Sequence, residues 1–242
     1  AFWPGPLTLV LKKKSSVPNI ATAGLSTVCV RMPSHPVALA LIKAAGEPIV
    51  APSANTSGRP SPTTAAHVYE DLQKKVPLIL DGGPCKIGLE STVVDLTSDP
   101  PIILRPGAVT FEQLKKYLPH LQNPSLNSPF GLATPDLAKR DKGRKQEGCK
   151  SPGMKYRHYM PKANLILVMP GAAEKIPTLV HDYKMQKKKV KVLRPTAHTL
   201  FASLRKCDHE DVDVIIVKGM EECGRKAATM NRLRKAASKI IE

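Results

Sequence analysis

The densest concentration of chemistry-bearing residues is the run Ala51-Pro52-Ser53-Ala54-Asn55-Thr56-Ser57-Gly58, which continues into Arg59-Pro60-Ser61-Pro62-Thr63-Thr64. Six hydroxyl side chains, the Asn55 amide and a backbone loosened by Gly58 can give a phosphate several hydrogen bonds without a fixed charge. The prolines Pro52, Pro60 and Pro62 pre-order the segment and lower the entropic cost of binding. Composition serves an ordinary Ser/Pro surface loop equally well. Other residues must decide between the two.

Arg31 and Arg105 each end an apolar run, and Arg105 is followed by Pro106-Gly107. A guanidinium at a strand end beside a turn can grip a carboxylate or a phosphate with two parallel hydrogen bonds. One such arginine is ordinarily a solvated strand terminus; two of them with the hydroxyl loop favour binding. Ser91, in Glu90-Ser91-Thr92, can donate to a ligand carboxylate or simply cap a turn. The segment Ser151-Pro152-Gly153-Met154-Lys155-Tyr156-Arg157-His158-Tyr159-Met160-Pro161 interleaves aromatic and basic side chains, which can stack a base and meet phosphates or can serve as a hinge. The sequence has no Ser-His-Asp order worth proposing, no HExxH, no Walker A loop and no paired carboxylates. Catalysis would rest on positioning and charge stabilisation, with no side-chain nucleophile.

These residues need elements to hold them. Residues 7–11, 27–31, 78–80, 91–95 and 102–105 read as strands, and 49–51 as a short buried strand opening into the hydroxyl loop. Residues 36–46 have helical spacing ending at Gly46, residues 64–74 form a second helix with Thr63 or Thr64 as N-cap, and 111–117 a third. Many short strands with fewer helices predict an α+β-like or mixed α/β sheet domain over residues 1–118. Residues 119–161 are rich in Pro, Asn, Ser and Gly and carry the basic cluster Lys139, Arg140, Lys142, Arg144 and Lys145, a linker by composition. Over 162–242, strands at 165–168, 190–193 and 212–217 alternate with helices at 199–205 and 227–241, predicting a small Rossmann-like parallel α/β domain. No GxGxxG follows its first strand, which argues against dinucleotide binding.

The 242 residues are 42% hydrophobic, enough for two cores. An excess of 37 Lys and Arg over 20 Asp and Glu gives a net charge of +17, which favours anionic partners. Cys29, Cys85, Cys149, Cys207 and Cys223 have no metal or pairing spacing, pointing to reduced thiols in a cytoplasmic setting, with Cys29 in the core. No stretch approaches the ~20 apolar residues of a membrane span. The chain opens in a turn running straight into a strand, so an N-terminal piece of the domain is expected to precede Ala1.

Taken together, Phe2-Trp3-Pro4-Gly5-Pro6-Leu7-Thr8, Thr27-Val28-Cys29-Val30-Arg31-Met32-Pro33, the PSANTSG loop running on to PSPT, GLESTVVD and LRPG resemble the YrdC-like family. SPGMKYRHYMP and the later MNRLRKAA resemble its longer two-domain members, the threonylcarbamoyl-adenylate synthases. The resemblance implies a twisted YrdC-type α/β sheet around a basic cavity, followed by a Rossmann-like domain. It implies a nucleotidyltransferase that condenses L-threonine, bicarbonate or carbon dioxide and ATP, with Mg²⁺, into threonylcarbamoyl-AMP and pyrophosphate. Its product would feed threonylcarbamoyladenosine modification of tRNA through a downstream transfer machinery. On matching motif positions, Arg31, Ala51 and Ser91 are expected at L-threonine. Thr27, Ser53, Asn55, Ser61 and Arg105 are expected at ATP, with Tyr159, or else Tyr156, covering the nucleotide.

Two departures stand out. A basic Lys-x-Arg segment that grips the triphosphate in the family would lie before Ala1, so the chain as it stands is expected to lack that grip. Residues 221–228 depart from the family's Gly-Leu-Gly-Leu-Ala-like turn. The rival reading is a module that binds double-stranded RNA or tRNA through its charge, without catalysis.

Overall fold

A computed structural model describes residues 1–123 and 159–242. The basic cluster, most of the 119–161 segment and Tyr156 lie outside the described residues. The chain forms two compact units that do not follow chain order: residues 52–89 belong with the C-terminal part, and residues 1–51 with the stretch from Glu90 onward.

The first unit is built on a mixed sheet of β1 (Leu7–Lys12), β2 (Thr27–Val30), β3 (Thr92–Asp95) and β4 (Ile102–Arg105), in the order β2-β1-β3-β4. β1 pairs antiparallel with β2 and parallel with β3, aligning Leu7 with Thr92. β4 returns antiparallel to β3 across a bulge at Val93/Val94. β3 is buried along its whole length, as a central strand of branched residues should be. Leu7, Val94, Ile103, Val109, Leu114 and Leu121 close a core beneath the sheet. The helix α1 (Pro36–Ala45) starts on proline and stops at Gly46, whose φ of 72° places it in the left-handed region. After Ile102–Arg105 the chain enters α3 (Phe111–Lys115), which begins with a reciprocal capping box between Thr110 and Gln113.

The second unit carries α2 (Ala65–Leu72), which Thr64 caps by accepting from the His67 amide, and a second sheet. Four parallel strands, β5 (Asn164–Val168), β6 (Val190–Leu193), β7 (Val214–Lys218) and β8 (Lys239–Ile241), are ordered β6-β7-β5-β8. The helices α4 (Ile176–Met185), α5 (Leu200–His209) and α6 (Arg225–Ala236) connect them in alternation. One core joins Leu165, Leu167, Ile215 and Val217 to Leu200, Phe201, Leu204, Met230 and Leu233; another joins Ile166, Val168 and Ile216 to the α4 side. The predicted fold class, a mixed α/β sheet domain followed by a small parallel-sheet domain, is the one observed.

The elements differ from expectation at several points. Residues 49–51 and 78–80 form no strand, and Val50 and Leu78 are 73% and 71% exposed. An apolar run is strand-capable, but a strand exists only where another strand supplies hydrogen-bond partners, and among the described residues none lies beside them. The run 227–241 is not one helix. The chain turns extended at Ala237, Ser238 donates its amide to Leu165 O at 2.8 Å, and residues 239–241 pair with β5. α4 was not foreseen, although Ile176, Leu179, Val180 and Tyr183 carry the i, i+3, i+4, i+7 spacing that packs it on the sheet. Cys29, expected in the core, is exposed, because its side of the edge strand β2 is uncovered by described residues.

Candidate functional site

Of the predicted residues, Thr27, Arg31, Ala51, Ser91 and Arg105 lie in the first unit, and Ser53, Asn55, Ser61 and Tyr159 in the second. In the first unit the structure brings Ser91 and Arg105 together. Ser91 immediately precedes β3 and is 3% exposed; Arg105 ends β4 beside it. The Arg105 guanidinium donates to Ser91 O from Nε at 3.2 Å and from Nη2 at 3.1 Å, and from Nη2 to Ser91 Oγ at 3.2 Å. Ser91 Oγ also lies 2.7 Å from Thr8 Oγ1 on β1. A serine hydroxyl held between a guanidinium and a second hydroxyl has its rotamer set in advance, so a ligand need not order it.

This arrangement depends on Gly107. A Cβ there would sit 2.4 Å from Thr92 N, 2.5 Å from Ser91 C and 2.6 Å from Glu90 O, all backbone. The LRPG turn therefore lies directly against the strand start that carries Ser91. Next to it, Thr92 Oγ1 donates to Val109 O at 2.5 Å and accepts from Val109 N at 3.0 Å, fastening the same two segments. Thr27, the first residue of β2, is buried at 9% exposure and aligned with Lys12. Arg31, just beyond β2, and Ala51 are exposed. Thr8 was not singled out from sequence. A threonine among Leu and Val in an alternating strand is too common to signal a site.

In the second unit the hydroxyl loop is a structured turn. Arg59 N donates to Thr56 O at 3.2 Å, with Gly58 at φ 85° in the third position, where a type II turn demands a left-handed residue. Asn55 Nδ2 donates to Thr56 O at 2.9 Å and to Arg59 O at 3.3 Å, bracing the turn from inside. Its Oδ1 is buried, with no donor among the described residues. Ser53 is exposed and Ser61 half-buried.

The loop is held by charges that sequence reading missed. Asp71, in α2, accepts from Thr56 N at 3.0 Å and from Arg59 Nη1 at 2.8 Å. Arg205, in α5 and fully buried, donates to Asp71 Oδ2 at 2.7 Å and to Pro60 O at 2.8 Å. Asp208, one turn further along α5, lies 3.4 Å from Arg59 Nη2 and accepts from Lys162 N at 2.7 Å. Burial pushes the Asp71 carboxyl upward, but the bonds from Arg205 and Thr56 and the charges of Arg205 and Arg59 outweigh it and hold it below the usual carboxylate range. Burial, with the Arg205 charge beside it, also lowers the nearby His67. A signal was available: Arg205 and Asp208 sit at i, i+3 among Leu200, Phe201, Leu204 and Cys207, on a face otherwise apolar. Charges there must be paired in the fold.

Tyr159 is 7% exposed, with φ 69°, and its ring packs on Phe201 at 5.1 Å and under Arg232 at 6.0 Å. In this conformation the ring is buried in the core of the second unit. The next residue, Met160, donates its amide to Gly58 O at 2.9 Å, so the end of the aromatic-basic segment is tied to the hydroxyl loop. Among the described residues no group of three His, Cys, Asp or Glu side chains could hold a metal ion. Nor, among them, is any helix long and apolar enough to cross a membrane.

Residues 1–107 match a family model described as telomere recombination, and residues 109–238 one described as threonylcarbamoyl-AMP synthase, C-terminal domain. A relative from Pyrococcus abyssi, named threonylcarbamoyl-AMP synthase, is 44% identical over 98% of this chain and 71% of its own length. A relative of the same name from Schizosaccharomyces pombe is 39% identical over 100% of this chain and 65% of its own. A crystal structure of the Pyrococcus abyssi protein complexed with L-threonine superimposes with a TM-score of 0.86 at 44% identity, covering 99% of this chain and 73% of that one.

Proposed function

The chain belongs to the threonylcarbamoyl-AMP synthase family, and we propose that it supplies the substrate-binding residues for forming threonylcarbamoyl-AMP and pyrophosphate from L-threonine, bicarbonate and ATP. The observation that carries this reading is the Thr8–Ser91–Arg105 arrangement on a chain 44% identical to a protein crystallised with L-threonine. Ser91 would donate to the amino acid, and the exposed Arg31 would pair with its carboxylate. Arg105 serves both sides: it orients Ser91 and adds positive charge where a phosphate can approach. In the second unit, the Ser53 and Ser61 hydroxyls and the braced Asn55 turn offer uncharged hydrogen bonds to the nucleotide.

The chemistry asks little of any single side chain. The threonine amine and bicarbonate form a carbamate with loss of water. A carbamate oxygen then bonds to the α-phosphorus while the bond to the bridging oxygen of the β-phosphate breaks, and pyrophosphate leaves. Pre-set donors and in-line geometry are what this requires. With no protein cluster of metal ligands among the described residues, Mg²⁺ is assigned to the triphosphate as MgATP, a substrate, and no residue is assigned to it. The mixed anhydride product would pass to an enzyme that transfers the threonylcarbamoyl group to tRNA, and the net charge of +17 suits transient tRNA contact.

The test is pyrophosphate release from ATP by the protein at its full natural length. Release that needs both L-threonine and bicarbonate is expected. Release without threonine would overturn the reading, and no release combined with salt-sensitive tRNA binding would favour the RNA-binding module.

A further inference from the structure

The buried charge cluster of the second unit has no part in the chemistry above, yet it grips the hydroxyl loop at three points. Thr56 N is bound by Asp71, the Arg59 side chain by Asp71 and Asp208, and Pro60 O by Arg205 through both Nε at 3.1 Å and Nη2 at 2.8 Å. Two of these points are backbone, so what is fixed is the path of the loop, not merely a side chain. Because the peptide is planar and trans, holding the Pro60 carbonyl against the guanidinium turns the Ser61 N–H the opposite way. Thr56 at one end and Pro60 at the other fix the register of everything between them. Met160 N on Gly58 O and Lys162 N on Asp208 fasten the end of the 151–161 segment to the same assembly.

Burial decides how such a cluster is to be read. Arg205 and Asp71 side chains are both fully buried, and a buried ion pair is by itself weak evidence of a stabilising role, since an apolar pair often serves as well. A guanidinium can hold a carboxylate and a backbone carbonyl together in one plane, which no apolar side chain can do. We infer that Arg205, with Asp71, is a positioning residue for nucleotide binding: from α5 it holds Pro60 O and so sets the peptide that carries Ser61. This rests on the proposed function, which assigns the Ser61 hydroxyl to ATP. The cluster acts through the loop and touches neither substrate.

The experiment compares the wild-type chain with Arg205→Lys and with the paired change Arg205→Met/Asp71→Leu. ATP and L-threonine affinities are measured by calorimetry, melting temperature by calorimetric scan, and exchange of the loop amides by mass spectrometry. A lysine ammonium is a single, shorter-reaching donor atom and cannot replace the separate Nε bond to Pro60 O and Nη1 bond to Asp71 Oδ1, so Arg205→Lys should weaken ATP about tenfold, leave threonine within about twofold and speed exchange over residues 56–61. The paired change leaves no buried charge of the Arg205–Asp71 pair unmatched, yet removes the partners of Thr56 N and Pro60 O, and should weaken ATP and loop protection at least as much as Arg205→Lys while leaving threonine within about twofold. If the paired variant binds ATP as the wild type does, or if Arg205→Lys weakens both substrates in equal proportion, the cluster is only structural and the inference falls. A wild-type chain that binds threonine but not ATP, with the loop protected, overturns the assignment of the loop hydroxyls to ATP, and this inference with it.

Discussion

Replacing Gly107 with alanine tests whether the LRPG turn sets the position of Ser91. The added Cβ would lie 2.4 Å from Thr92 N, where ordinary contact begins at 3.4 Å, so the turn and the start of β3 must part by about 1.0 Å. The atoms in the way are backbone on both sides, and no rotamer change relieves them. That displacement would stretch the 3.1–3.2 Å bonds from Arg105 to Ser91 beyond hydrogen-bonding range. The Thr92–Val109 pair of bonds, one residue from the collision, would be strained with them. Overpacking of this kind costs about 1–3 kcal/mol. For a protein of this size that lowers the melting temperature by roughly 2–12 °C. Losing a pre-set charged hydrogen bond at Ser91 adds a separate cost of about 1.5 kcal/mol to threonine binding, roughly tenfold in Kd. A calorimetric melt and a threonine titration of Gly107→Ala measure the two effects. A melting temperature within about 1 °C of wild type, together with unchanged threonine affinity, would show that the turn does not govern Ser91 and would refute the reasoning.

Arg31→Ala should raise the threonine requirement about tenfold and leave that for ATP nearly unchanged, since its exposed guanidinium is assigned to the carboxylate. Arg105→Ala should weaken both substrates, because the side chain expected at ATP also orients Ser91; substrate titrations in a pyrophosphate-release assay separate the two variants, and an Arg105→Ala effect confined to ATP would show that Ser91 needs no such support. The Asp71 carboxyl is held below its ordinary 3.8, so its contribution to stability is present above that value and lost as pH falls through the lowered one. Asp71→Asn should therefore lower the melting temperature at pH 7 and shrink the gap to wild type at strongly acid pH. A gap independent of pH would mean that the charge of Asp71 is not what stabilises the second unit.

The strands β1, β3 and β4 and the parallel sheet were legible because alternation and branched apolar runs reflect burial, and burial was local to each run. The same logic failed at 49–51 and 78–80, where apolar residues had no strand to pair with, and at 239–241, where pairing with β5 overrode helical spacing. At the site, residue types named the candidates one at a time. That Ser91 and Arg105 would touch was not legible, because strand register, set by the β3–β4 pairing across its bulge, decides which side chains meet. Sequence by itself determined the fold class, the family and the hydroxyl loop, since these follow from composition, periodicity and contiguous motifs. Only tertiary structure decided what holds that loop, because Arg205 and Asp71 lie 134 residues apart and a buried charge shows its purpose only when its partner is seen.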